Sequence, residues 1–169
     1  GDYFIGSFIN GQANGYGKYF HHDGTIYEGK WADDQPNGKG KEKFVDGNFE
    51  GVFLNGTKIH GLFNWNDGSF YEGDIKENNF HGHGKFHWKE GREYDGDWVM
   101  GKMHGKGVMS YLDGSKYEGD FVRGKRDGNG IYKWNENKYY KGEWANGKQN
   151  GKGYYYNKGK IIAGIWQNG

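Results

Sequence analysis

The stretch "YEGKWADDQPNGKGKEKFVDG", residues 27–47, places an aromatic residue, a glycine and a second aromatic residue at alternate positions. The same arrangement returns from Tyr94 in "YDGDWVMGKMHGKGVMSYLDG". In an extended strand, Tyr27, Gly29 and Trp31 share one face, and the charged residues between them share the other. Because glycine has no side chain, aromatic rings can pack directly on the backbone at this position and cover it. The stretch therefore predicts a strand with one aromatic and one charged face.

Aligning the chain on the pattern aromatic-x-Gly shows tandem repeats over residues 1–169. The repeats begin at Phe4, Tyr27, Phe49, Tyr71, Tyr94, Tyr117 and Tyr140, with a partial repeat from Ile162. Spacings of 22 or 23 residues are too short for paired-helix repeats and fit a two-stranded unit. Both ends fall in mid-pattern, which predicts that the chain is one array excised from a longer one.

Dipeptides that favour hairpin turns fall at regular points in the repeats. One connection is marked by Asn10-Gly11, Asn37-Gly38, Asn55-Gly56 and Asn146-Gly147. The other connection is marked by Asp23-Gly24, Asp46-Gly47, Asp67-Gly68 and Asp113-Gly114. Asn-Gly and Asp-Gly are strong short hairpin signals. Each repeat is therefore predicted to be a β-hairpin, and the chain a meander.

The composition excludes several classes of protein. The chain has 34 glycines, no cysteine and 19% aromatic residues, so burial depends on rings and neither disulfides nor thiolate metal sites occur. No apolar run approaches membrane-spanning length. The net charge is +1, but residues 121–169 carry +7 and residues 1–120 carry −6. Such a gradient orients partners or copies of the chain.

The succession Tyr-x-Gly-x-Trp, Asn-Gly-Lys-x-x-Gly-x-Gly and Asp-Gly-x-x-Tyr resembles the MORN (membrane occupation and recognition nexus) repeat over essentially the whole chain. The resemblance implies an all-β fold: an elongated single-layer antiparallel meander of about seven hairpin repeats plus a partial one, with an aromatic-lined groove. The third repeat departs most from the pattern, because Ile59 stands where the first glycine of Gly-x-Gly belongs.

The aromatic stripe is the main candidate site. Part of its area is expected to form the hydrophobic layer of the sheet, and the remainder to line a groove for a helix or extended segment of another protein. The predicted groove residues are Tyr27, Trp31, Phe49, Phe53, Tyr71, Tyr94, Trp98, Tyr117, Phe121, Tyr140 and Trp144. The resemblance implies a scaffold in a cytoplasmic, cytoskeletal, ciliary or membrane-peripheral assembly.

Two alternative functions stay open. The basic end suits anionic phospholipid or an acidic partner, since lysines attract acidic groups. The candidate contacts are Lys141, Lys148, Lys152, Lys158 and Lys160. The second alternative is self-association into a homo-oligomer through open edge strands such as the partial repeat from Ile162.

Other chemistry finds little support in the sequence, which predicts no enzyme, no metal and no cofactor. Acidic residues recur at fixed repeat positions, which is typical of a solvated strand face rather than a catalytic pair. In "HGHGKFH", His81, His83 and His87 share a strand face, but His81 occupies a polar position that recurs in other repeats. Aromatics beside lysines are typical of single-stranded nucleic-acid platforms, yet the acidic remainder would repel a phosphate backbone, so no nucleic acid is predicted.

Overall fold

The computed structural model describes residues 1–169 and consists of β-strands joined by turns. The strands are β1 Tyr3–Ile9, β2 Gln12–Phe20, β3 Ile26–Ala32, β4 Gln35–Phe44, β5 Gly47–Leu54, β6 Thr57–Trp65, β7 Phe70–Lys76, β8 Asn79–His87, β9 Glu93–Val99, β10 Lys102–Ser110, β11 Lys116–Val122, β12 Lys125–Asn135, β13 Lys138–Ala145, β14 Lys148–Asn157 and β15 Lys160–Trp166. They follow chain order in an open antiparallel sheet. No membrane-crossing helix is present. The predicted all-β hairpin meander is confirmed.

The strands belong to two compact units, Gly1–Phe80 and His81–Gly169. Within each unit, one face of the sheet carries the buried rings and glycines. On β9, for example, Tyr94, Gly96 and Trp98 are buried, whereas the residues between them point to the other side. We call the first side the aromatic face and the second the charged face.

The opening aromatic ring of a repeat lies over glycines of two paired strands. Gly96 of β9 pairs with Gly107 of β10. A methyl group on Gly107 would lie 2.5 Å from Cζ and Oη of Tyr94, which is closer than atoms can approach. Equivalent contacts join Tyr27 to Gly40, Phe49 to Gly61, Tyr117 to Gly130 and Tyr140 to Gly153. The packing of aromatic rings on glycine that the sequence predicts is therefore present in both units.

Two-residue turns join the two strands of each repeat, and both turn residues have positive φ. Asn10-Gly11, Asn55-Gly56 and Asn146-Gly147 occupy such turns, as predicted. The assignment of Asn37-Gly38 to a turn is wrong, because both residues lie within β4. The turn there is Asp33-Asp34, with φ of 48° and 64°. Aspartate tolerates this region, and the Asp34 carboxylate also accepts the Ala13 N–H at 2.6 Å.

The first glycine of Gly-x-Gly forms a β-bulge. Gly105 has φ of +95°, and the register between β9 and β10 shifts around it. The extra N–H, that of Lys106, donates to Asp97 Oδ2 at 3.0 Å. The same contact joins Asn129 to Asp120 and Lys152 to Glu143. The recurring acidic position is therefore more than a solvated strand face, since its carboxylate holds the bulge.

The polar residue before Gly-x-Gly contacts the turn of the following repeat. His81 Nδ1 accepts the Met100 N–H at 3.2 Å, and His104 Nδ1 accepts the Arg123 N–H at 3.3 Å. Asp127 and Asn150 make the equivalent contacts with Asn146 and Asn168. These bonds satisfy turn N–H groups that the hairpin leaves unpaired. The recurring polar position predicted around His81 thus has a structural role.

We predict that Gly130→Ala lowers the free energy of unfolding by about 2–3 kcal/mol, because overpacking a rigid core strains its neighbours. The added methyl group would lie 2.5 Å from Cε2 of the buried Tyr117 ring. Urea denaturation measures the effect as a lower midpoint at an unchanged slope.

The matched control is Gly164→Ala in β15, where the nearest atom to the new methyl group would be Trp166 Cζ3 at 3.9 Å. This control is expected to change stability by less than about 0.5 kcal/mol. Equal losses for the two variants would show that ring contact is not what requires glycine at Gly130.

Candidate partner-binding surface

The eleven aromatic residues predicted to line a groove form the buried floor of the aromatic face. Each is 0 to 9% exposed: Tyr27, Trp31, Phe49, Phe53, Tyr71, Tyr94, Trp98, Tyr117, Phe121, Tyr140 and Trp144. Neighbouring rings meet edge to face, as Tyr94 and Phe121 do at a centroid distance of 5.1 Å. A partner that binds the aromatic face therefore contacts the other aromatic rings and side chains that lie above this buried floor.

Hydrogen bonds satisfy the polar atoms of these buried rings. The Tyr94 hydroxyl donates to the Asp97 carbonyl oxygen at 2.7 Å. The Trp98 indole N–H donates to the Gly84 carbonyl oxygen at 2.9 Å. Tyr27, Tyr71, Tyr117 and Tyr140 repeat the hydroxyl bond, and Trp31 and Trp144 repeat the indole bond. The repeats that carry tyrosine or tryptophan at these positions thereby bury the side chains without an unpaired donor.

Burial also changes the acidity of the floor tyrosines. It raises the pKa of Tyr27 to about 12. Burial is likewise the main cause of raised pKa values at Tyr71, Tyr94, Tyr117 and Tyr140. The fold therefore favours the neutral phenol at each of these positions.

Half-buried rings on the second strands of several repeats provide the reachable aromatic surface. In the C-terminal unit, Trp134 lies 4.9 Å from Tyr132 and 6.0 Å from Tyr155, measured between ring centroids. An open cleft of about 360 Å³ lies beside them. We call it the Trp134 cleft, and its lining residues are Arg126, Tyr132, Trp134, Trp144, Gly147, Lys148, Gln149 and Gly169.

Cations surround the Trp134 cleft. The Arg126 guanidinium lies 4.7 Å from the Trp144 ring centroid and donates to the Gly147 carbonyl oxygen at 2.9 Å. Lys138 Nζ lies 5.1 Å from the Trp134 ring centroid. Lys148 lines the cleft and is exposed. The surface thus combines aromatic rings with positive charges.

The corresponding surface of the N-terminal unit differs in its charge. There Phe63 and Trp65 stack at a centroid distance of 5.4 Å. Lys58 lies near the buried Phe49 ring, but its ammonium group pairs with the Glu42 carboxylate at 2.9 Å. A carboxylate of the protein itself therefore neutralises this cation.

The five lysines predicted as anion contacts do not share one surface. Lys141 and Lys152 lie on strands and point to the charged face. Lys148 begins β14, whereas Lys158 lies in the turn at the opposite end of that strand and Lys160 begins β15 directly after the turn. All five are exposed. The structure divides them among three places rather than gathering them into one basic patch.

The histidines of "HGHGKFH" contact different groups. His81 accepts the turn N–H of Met100. His83 Nε2 lies 2.9 Å from Asp95, and His87 Nδ1 lies 3.0 Å from Glu93. Shared strand periodicity therefore does not bring the three rings to a common point.

We predict that the protein loses stability steeply above about pH 10, where tyrosines of the unfolded chain ionise. The raised pKa keeps the floor tyrosines neutral in the folded state, so the unfolded state binds fewer protons as pH rises. The stability is complete below the unfolded pKa and is lost as pH approaches the folded pKa. Each such tyrosine contributes a slope of about −1.4 kcal/mol per pH unit.

Urea denaturation at a series of alkaline pH values measures this slope. Tyr117→Phe retains the ring but removes one ionising group, so its slope should be shallower by about 1.4 kcal/mol per pH unit. An unchanged slope in this variant would mean that Tyr117 ionises in the folded protein as it does in water.

Comparison with known proteins agrees with this architecture. A model of the MORN repeat matches residues 4–26, 27–49, 71–91, 94–116, 117–138 and 140–160. Residues 50–70, which contain Ile59 and belong to the repeat expected to depart most, lie outside the matches. No curated protein matches the chain.

Solved structures also resemble this fold, and 32 chains match. One is the G-box domain of the microcephaly protein CPAP, with a TM-score of 0.56 and 13% sequence identity, covering 91% of this chain and 82% of that chain. At this identity the likeness concerns the fold alone. The family model, by contrast, matches most of the chain repeat by repeat, and the protein therefore belongs to the MORN-repeat family.

Proposed function

We propose that this protein is a non-catalytic scaffold whose aromatic face binds a segment of another protein, with the Trp134 cleft as the main contact. The observation that supports this most is the set of half-buried rings beside cations at Arg126, Lys138 and Lys148. Half-exposed aromatic rings lose water-accessible area when an apolar side chain packs on them. The cations select acidic residues next to that side chain.

The partner segment is a helix or an extended peptide that carries apolar and acidic residues. Helix-in-groove and extended binding both place apolar anchors at regular intervals along an elongated surface. The buried stripe, including Tyr117, Tyr140 and Trp144, supports the contact from below and keeps the upper rings in place. Tryptophan, tyrosine and arginine are also the residues that most often dominate binding energy at protein interfaces.

We further propose that the scaffold acts in the cytoplasm, in a cytoskeletal, ciliary or membrane-peripheral assembly. Membership of the MORN-repeat family supports an interaction role. The structural report on the CPAP G-box domain suggests for that protein a role in centriole elongation, which is a cytoskeletal process. The two proteins share a fold, and on that basis we propose a cytoskeletal assembly for this chain as well.

Self-association is the second candidate, and exposed apolar residues on both outer strands favour it. Ile161, Ile162 and Ile165 of β15 are 61 to 80% exposed. Ile5 and Ile9 of β1 are 63% and 57% exposed. An open edge strand offers unpaired backbone groups to another chain. The +7 charge of residues 121–169 favours contact with the acidic part of a second copy.

We predict that peptides selected on this protein from a phage-displayed library contain apolar and acidic residues and bind in the Trp134 cleft. Trp134→Ala removes a large contact area, so fluorescence anisotropy should show at least about tenfold weaker binding. Arg126→Gln should weaken the binding and reduce its dependence on salt concentration.

The matched control is Trp65→Ala, which removes the tryptophan at the corresponding position of the N-terminal unit and should leave affinity within about twofold. Peptides that bind equally to wild type and to Trp134→Ala would contradict the cleft assignment. Flotation with anionic liposomes at physiological salt tests the lipid alternative, and binding lost in Lys141→Glu/Lys152→Glu would favour it. Concentration-dependent mass in light scattering would favour self-association.

A further inference from the structure

Two histidines and an aspartate meet at the edge of the N-terminal unit, far from the Trp134 cleft in sequence. Asp2 directly precedes β1, and His21 and His22 directly follow β2. The pairing of Tyr3 with Phe20 brings these two chain segments side by side. Because 19 positions separate Asp2 from His21, no local sequence motif signals the cluster.

The three side chains direct possible ligand atoms toward one another. His22 Nδ1 lies 2.9 Å from Asp2 Oδ1, and His21 Nε2 lies 3.7 Å from Asp2 Oδ2. The two imidazole centroids are 4.9 Å apart. One ligand atom from each residue falls within 4.8 Å of the others. Tetrahedral zinc with bonds of about 2.0–2.1 Å separates its ligand atoms by about 3.3 Å, which lies between the two observed distances.

Surrounding groups fix the carboxylate and one imidazole. The Tyr19 hydroxyl donates to Asp2 Oδ2 at 2.6 Å, and the His22 backbone N–H donates to Oδ1 at 2.8 Å. These hydrogen bonds hold the pKa of the Asp2 carboxyl well below its usual range, and the bond from Tyr19 has the largest effect. His21 Nδ1 faces the Asp23 carboxylate at 3.7 Å. A carboxylate behind the second ring nitrogen is the usual outer partner of a metal-binding histidine.

The other paired histidines lack this arrangement. His60 Nδ1 faces the Asp74 carboxylate at 2.8 Å, and His83 faces the carboxylates of Asp95 and Asp97. Each is an imidazole beside carboxylates, without a second imidazole among the ligand atoms. Asp2, His21 and His22 are the one group of three such residues within reach of a common ion in residues 1–169.

We propose that Asp2, His21 and His22 form a binding site for a divalent transition-metal cation of the zinc type. Two imidazole nitrogens and one carboxylate oxygen suit Zn²⁺, and water completes the coordination of an exposed site. The ion links the start of β1 to the chain that leaves β2. Metal binding thereby stabilises the outer hairpin of the N-terminal unit, because the ion binds the folded arrangement more tightly than the unfolded chain.

Isothermal titration of the whole chain with Zn²⁺ tests the site. The wild type should bind one equivalent, and His21→Ala/His22→Ala should bind at least about tenfold more weakly. The matched control is His60→Ala/His83→Ala, which leaves the same number of histidines and should bind within about twofold of wild type. Equal affinity in wild type and His21→Ala/His22→Ala, or no binding by wild type, would overturn the proposal.

Two further readouts separate metal binding from a change in folding. Without metal, the circular dichroism melting curve of His21→Ala/His22→Ala should match that of wild type, since both histidines are exposed. With Co²⁺ as a spectroscopic probe, wild type and the His60→Ala/His83→Ala control should develop the same visible absorption bands, and His21→Ala/His22→Ala should not. Equal bands in all three proteins would place the metal elsewhere and overturn the proposal.

Discussion

The contact of an aromatic ring with glycines of two paired strands is the constraint on which each repeat depends. Tyr94 shows it most clearly, because its ring occupies the space that a side chain at Gly107 would fill and its hydroxyl lies against Gly96. The hydroxyl at the end of the ring then reaches the Asp97 carbonyl oxygen. A chain with few aliphatic residues thereby builds a buried layer from rings, each covering backbone that glycine leaves open. The same glycines fix the register, since Gly96 pairs with Gly107 and Gly119 with Gly130.

This construction also determines what the surface can offer to a partner. The aromatic rings that open the repeats are buried in the floor and are not accessible to a partner. Recognition therefore depends on the half-buried rings of the second strands and on the charged side chains beside them. In the N-terminal unit, Glu42 pairs with Lys58 near the rings. In the C-terminal unit, Arg126 instead lies over Trp144 and donates to a backbone carbonyl oxygen. Two surfaces built on the same repeat therefore differ in electrostatics.

The fold was predictable from the sequence because its signals are local and repeated. Alternation of Tyr, Gly and Trp gives the strand faces, and most Asn-Gly pairs give the turns. The turn predicted at Asn37-Gly38 is wrong because this dipeptide also fits a β-bulge within a strand. The turn is formed instead by Asp33-Asp34, which tolerate positive φ. The candidate surface was less predictable. Whether a ring lies below or above the floor depends on its neighbours in space, and the Asp2 cluster depends on strand pairing between distant residues.

A double-mutant cycle of Tyr94→Leu and Gly107→Ala tests the ring and glycine contact most directly. The atoms nearest to a methyl group on Gly107 all belong to Tyr94. We expect Gly107→Ala to reduce the free energy of unfolding by about 2–3 kcal/mol in the wild-type background and by less than about 1 kcal/mol beside Tyr94→Leu. The same loss in both backgrounds would contradict the account, because it would show that the backbone, and not the aromatic ring, requires glycine at this position.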